Sequence, residues 1–118
     1  MVSQEQAEAI ADEWIAAWNA HDVERVLSHY TDDFVMASPK IAVFADEPSG
    51  VLHGKPAVEA YWRKALAAVP DLHFTKLDVY VGARSVAIHY RNQLAKLVVE
   101  VLELGANGKV VRAAAHYA

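Results

Sequence analysis

Glu100 carries the clearest chemical potential in this chain. It stands in the run Leu97-Val98-Val99-Glu100-Val101-Leu102-Glu103-Leu104. Strand alternation puts Glu100, Leu102 and Leu104 on one face and Val99, Val101 and Glu103 on the other. Both faces are largely apolar, so both are expected to be covered, one by helices and the other by a partner subunit or second layer. A carboxyl group enclosed by Val and Leu loses the hydration that favours its anion. Its pKa then rises, which makes it a candidate proton donor or base. The alternative is an outward Glu100 ion-paired to Arg91 or Arg112 on a neighbouring strand.

His116 is the second catalytic candidate, because imidazole exchanges protons near neutral pH. In His89-Tyr90-Arg91, the inward face receives either Tyr90 or the His89–Arg91 pair, and His116-Tyr117 poses the same choice on the last strand. Trp14, Trp18 and Trp62 sit at helical spacing, which usually means core packing, yet a helix face lying on a curved sheet also roofs any pocket beneath it. His53, beside Gly54, could add a polar group at a pocket mouth. Asp32-Asp33 reads as strand entry, since adjacent acids point in different directions, and His21-Asp22 as a turn and a cap. There is no nucleophile elbow, no glycine-rich phosphate loop and no histidine spacing suited to a metal, so neither cofactor nor metal is expected.

The elements that must position these residues are legible from periodicity. Ser3 with Gln6 forms a capping-box pattern opening a helix to about Ala20, with Ala7, Ile10, Trp14 and Trp18 on one face. Asp22 can cap a short helix carrying Val23, Val26, Leu27 and Tyr30. Thr31-Asp32-Asp33 closes it, and Phe34 to Ala37 reads as a strand ending at Pro39. Residues 39–54 are irregular, and Ile41 to Ala45 fits either a short strand or a flap. Pro56 suits the first turn of a second long helix, with Val58, Trp62, Leu66 and Val69 as its buried stripe and Pro70 as its stop. Residues 72–81, 85–93, 96–104 and 110–118 then alternate with period two, and their short links imply consecutive antiparallel hairpins. Helices followed by a meander mean an α+β fold with helices on one face of the sheet.

Composition sets outer limits. With 118 residues and 54% hydrophobic content, the chain suffices for one domain, residues 1–118, with one core. The absence of cysteine removes disulfide and thiolate chemistry. A net charge of −4 without basic runs argues against nucleic acid as the partner. Neither a signal-peptide pattern nor an apolar stretch near the ~20 residues of a membrane span is visible, so a cytoplasmic location without membrane contact is expected.

Three segments taken together, AAWNAHDVERVLSHYTDDF, GKPAVEAYW and VEVLELGANGKVVR, resemble the SnoaL-like and ketosteroid isomerase-like branch of the nuclear transport factor 2-like superfamily. The resemblance implies a cone: a curved antiparallel sheet with the N-terminal helices packed on its concave face and a pocket inside. In the isomerase, an aspartate before a proline is the general base, a first-helix tyrosine binds the oxyanion, and a protonated acid on the penultimate strand assists. The matching positions here are Ser38 before Pro39, Trp14, and Glu100. With one of three retained, steroid isomerisation as that enzyme performs it is not expected. Related polyketide cyclases use a single carboxylate or histidine, and epoxide hydrolases an Asp–Arg–Asp set that Glu100 with Arg91 would imitate in part. The expectation is a small apolar or aromatic ligand in the cone, touched by Trp14, Trp18, Ser38, Trp62, Tyr90, Arg91 and Tyr117, with Glu100 and His116 as acid/base groups. The rival expectation is a non-catalytic interaction module that dimerises through a sheet face built from Val99, Val101, Ala113 and Ala115.

Overall fold

The computed structural model describes residues 1–118 and begins with the helix that the capping box announces. Helix α1 spans Gln4–Asn19; the Ser3 hydroxyl accepts from the Gln6 amide at 3.0 Å while the Gln6 side chain accepts from Ser3 N–H at 2.9 Å. Its buried stripe is Ala7, Ala11, Trp14, Ala17 and Trp18. Three alanines let the helix sit close to the sheet, and the two indoles fill the space beyond. His21 then takes a left-handed conformation (φ 56°), and Asp22 caps α2, Val23–Leu27, by accepting from Arg25 N–H at 3.1 Å.

Strand β1, Tyr30–Ala37, starts earlier than its sequence suggests. Thr31-Asp32-Asp33 does not close the preceding element; it is a bulge within the strand. Between Tyr30 and Val35 the chain advances five residues while its neighbour advances only from Val110 to Arg112. The irregular stretch resolves into two elements. Ile41 to Ala45 forms neither strand nor flap: Ser38 caps a short helix α3, Pro39–Phe44, with Pro39 in its first turn. Strand β2, Val51–His53, had no periodic signal because three residues are too few to show one. Helix α4, Lys55–Ala68, follows, burying Val58, Tyr61 and Trp62.

The meander comprises β3, Thr75–Val81, β4, Ser85–Arg91, β5, Leu97–Leu104, and β6, Val110–Tyr117. Leu72 to Phe74 stays outside β3, where Asn19 clamps Phe74 by accepting from its N–H (2.7 Å) and donating to its carbonyl (2.9 Å). The six strands form a curved, unclosed sheet in the order β2-β1-β6-β5-β4-β3, with β1 parallel to β6 and all other pairs antiparallel. The helices cover its concave face, which gives the α+β cone that the sequence led us to expect. The inner face is lined by Met36, Ile88, Tyr90, Val98, Leu102 and Ala113, all buried. No helix is long and apolar enough to cross a membrane.

Register corrects the expected interface. Ala113 pairs with Leu102 and Ala115 with Glu100, so both alanines lie on the inner face rather than beside Val99 and Val101. The outer face instead carries an apolar row that crosses all six strands in register: Val51, Ala37, Ala114, Val101, Ala87 and Tyr80.

Candidate functional site

Between α1, α4 and the open end of the sheet lies a cavity of about 290 Å³. Glu100 faces it from β5, one of the two central strands of the sheet, and is only 4% exposed. No protein donor reaches its carboxyl group, which is why burial acts unopposed and pushes its pKa from 4.5 up to about 8. At pH 7 it is therefore a neutral carboxylic acid, able to donate one hydrogen bond. Its register partners explain the enclosure: Ile88 on β4 and Ala115 on β6 flank it directly.

Tyrosines surround the acid. Tyr90 lies two residues beyond Ile88 on the same face of β4, Tyr61 comes from α4, Tyr117 from the end of β6, and Tyr30 closes the far side from β1. Burial raises the pKa of all four phenols, and the Glu100 carboxylate, when formed, raises each further by repulsion. Ser38, 4% exposed, lies beside Tyr61 and Tyr117 and moderates the upward shift at both, while its hydroxyl accepts from Lys40 N–H at 3.2 Å.

The tryptophans divide their roles. Trp14 N–H donates to the Tyr30 hydroxyl at 3.0 Å in the buried core, so its polar group is already engaged. Trp18 packs edge-on against Trp62, ring centroids 4.9 Å apart, yet its buried indole N–H has no partner. A donor left unpaired in this way costs ~1–3 kcal/mol until an acceptor arrives. The buried side-chain oxygen of Gln93, also at the cavity, is likewise unpartnered.

Seven of the sequence-derived candidates, Trp14, Trp18, Ser38, Trp62, Tyr90, Glu100 and Tyr117, thus come together around one cavity. Two do not. His116 projects from the outer face, opposite Val99, because strand parity sends Ala115 and Tyr117 inward. Arg91 is exposed and donates to the Ala95 carbonyl at 3.1 Å in the β4–β5 turn. The partial Asp–Arg–Asp imitation is therefore not assembled. His89 also faces outward, 3.2 Å from the Asp78 carboxylate, and His53 is exposed on β2. Tyr61 and Gln93 were missed as site residues. Tyr61 directly precedes Trp62, and two adjacent aromatic residues on one helix turn were the available signal; for Gln93, in a turn, there was none. Among His, Cys, Asp and Glu, no group of three is placed to hold a metal ion.

Residues 11–118 match the SnoaL-like domain, and the chain belongs to that family. A SnoaL-like protein of unknown function from Burkholderia thailandensis is 51% identical, with a TM-score of 0.95 over 99% of this chain and 98% of that one. More remote in sequence are a SnoaL-like family protein from Agrobacterium tumefaciens, described as a candidate isomerase, and IdmH from Streptomyces antibioticus, described as a candidate polyketide cyclase. The first is 16% identical, TM-score 0.78, covering 98% of this chain and 99% of its own. The second is 17% identical, TM-score 0.77, covering 95% and 91%. At such identity these two speak to the fold alone. A search of curated proteins gives no match.

Proposed function

We propose that the cone binds a small apolar or aromatic molecule and that Glu100, as a neutral acid, donates to an acceptor oxygen on it. The observation that carries this reading is a 4%-exposed carboxyl group with no protein partner, facing a cavity walled by aromatic rings. If turnover follows, Glu100 is the acid/base of a cofactor-independent isomerisation, cyclisation or hydrolysis, the first two being the classes that the names of the remote neighbours suggest. The test is a thermal-shift screen of steroids, terpenoid epoxides and aromatic polyketides against wild type and Glu100→Gln. A ligand at ~100 times its dissociation constant adds about 2.7 kcal/mol, on the order of 10 °C for a domain of this size. Hits weakened in the Gln variant support the reading, and a broad library without hits refutes it.

A second reading concerns the outer sheet face, where the apolar row from Val51 to Tyr80 forms a continuous strip with Tyr80 56% exposed. It suits a homodimer through the sheet, with the pocket on the opposite side. Val101→Asp, at the middle of the row, should yield monomers in sedimentation velocity. An unchanged sedimentation coefficient removes this interface.

A further inference from the structure

The mouth of the cavity is positively charged in a chain whose net charge is −4. Lys40, in the first turn of α3, and Lys96, at the end of the β4–β5 turn, both line it. Neither makes an ion pair, although Lys55 and Lys76 elsewhere on the surface do. The Lys40 ammonium lies 5.2 Å from the centre of the Tyr117 ring, which holds it at the rim. The one acid among the lining residues is Glu100, and it sits deep, 4% exposed, whereas both lysines are exposed. The pocket is thus polarised: the Glu100 carboxyl group deep inside, apolar rings along the wall, and two unpaired cations at the opening. At about 290 Å³ it also lies at the lower end of the ~300–1,000 Å³ typical of small-molecule sites.

Resting on the ligand-binding reading above, we propose that the ligand is an organic monoanion of one or two rings, its ring body in the cone and its carboxylate at the mouth between Lys40 and Lys96. A multiply charged phosphate fits less well. The lining offers no glycine-rich loop, and the Ser38 hydroxyl already occupies the α3 amide that an anion would seek. Cations flanking an opening concentrate anions there and orient them as they enter.

The test is calorimetric titration at pH 6.5, where Glu100 remains neutral, with three probes of one shape: 2-naphthoic acid, its methyl ester and 2-naphthylmethylamine. The acid should bind about tenfold more tightly than the ester, the sum expected of two partly screened ion pairs. That advantage should vanish in 0.5 M salt and in the Lys40→Gln/Lys96→Gln double variant, while the ester's affinity stays constant. Both lysines are exposed, so the variant should melt as wild type does. Equal binding of acid and ester, or tightest binding of the amine, overturns the anion assignment and leaves the pocket reading intact. Failure of all three probes to bind overturns both.

Discussion

Replacing Glu100 by Gln converts a titrating group into a permanently neutral one of nearly the same shape, so its effect on stability should depend on pH. The carboxyl titrates at about 8 in the folded protein against an ordinary 4.5. Between these values the native state keeps a proton that the unfolded chain has released. Unfolding then liberates a proton, and stability falls as pH rises. The contribution is fully present below pH 4.5 and is lost as pH rises through about 8. At about 1.4 kcal/mol per pH unit, the interval amounts to roughly 5 kcal/mol, a large share of the ~5–15 kcal/mol of a typical domain. Water entering through the open mouth lowers that figure, so it is an upper bound. Urea unfolding followed by tryptophan fluorescence at half-unit steps from pH 5 to 9 measures it. The gap between Glu100→Gln and wild type should widen in favour of the variant by several kcal/mol up to pH 8 and then level off. A gap constant within ~0.5 kcal/mol across the range would mean that Glu100 ionises as an ordinary carboxylate. The carboxyl group would then be solvated rather than held in a dry interior.

Three further outcomes follow from the same geometry. Spectrophotometric titration at 295 nm should show Tyr30, Tyr61, Tyr90 and Tyr117 ionising above the ordinary phenol range, and at lower pH in Glu100→Gln, where the repelling carboxylate is gone; identical curves would separate the phenols from the acid. Trp14→Phe and Tyr30→Phe each break the buried 3.0 Å hydrogen bond and should cost about 1–3 kcal/mol, with a double variant less destabilised than the sum; additivity within ~0.3 kcal/mol would deny the bond. Gly50→Ala should cost more than Gly108→Ala, because both need a left-handed backbone (φ 72° and 80°) but only Gly50 would bring a Cβ within 3.1 Å of the Ser38 carbonyl; equal melting temperatures would refute the close approach.

The sequence revealed most where burial imposes a long period. Ser3 with Gln6, the Trp14–Trp18 stripe and Glu100 in its apolar strand each led to the right element, because several residues agree on one face. It was silent where an element is too short for a period to accumulate. Three-residue β2 and six-residue α3 are held by pairing with β1 and by the Ser38 cap, both tertiary or single-residue facts. The bulge at Thr31–Asp33 hid for a related reason: bulged residues are exposed and polar, as turn residues are. The same parity that exposes Glu100 to the cone decides between Tyr117 and His116. Only the observed pairing of Ala115 with Glu100 fixes it.

The closed end of the cavity offers donors at neutral pH and scarcely any base. Glu100 is protonated, the neighbouring phenols keep their protons, and Ser38 occupies the position at which the resembling isomerase carries its aspartate. Such a site can polarise a carbonyl or protonate an epoxide oxygen, yet below pH 8 only the minor ionised fraction of Glu100 could remove a proton from carbon. Above pH 8 the same Glu100 becomes an anion in a poorly solvated setting, and thereby a base. The two roles make opposite demands on any turnover found with a ligand from the screen. Acid catalysis requires kcat to fall tenfold per unit once pH exceeds about 8, and base catalysis requires it to climb until that point. Glu100→Gln removes the inflection in either case. A profile that keeps its inflection in the Gln variant would assign the chemistry to another group and leave Glu100 as a binding residue alone.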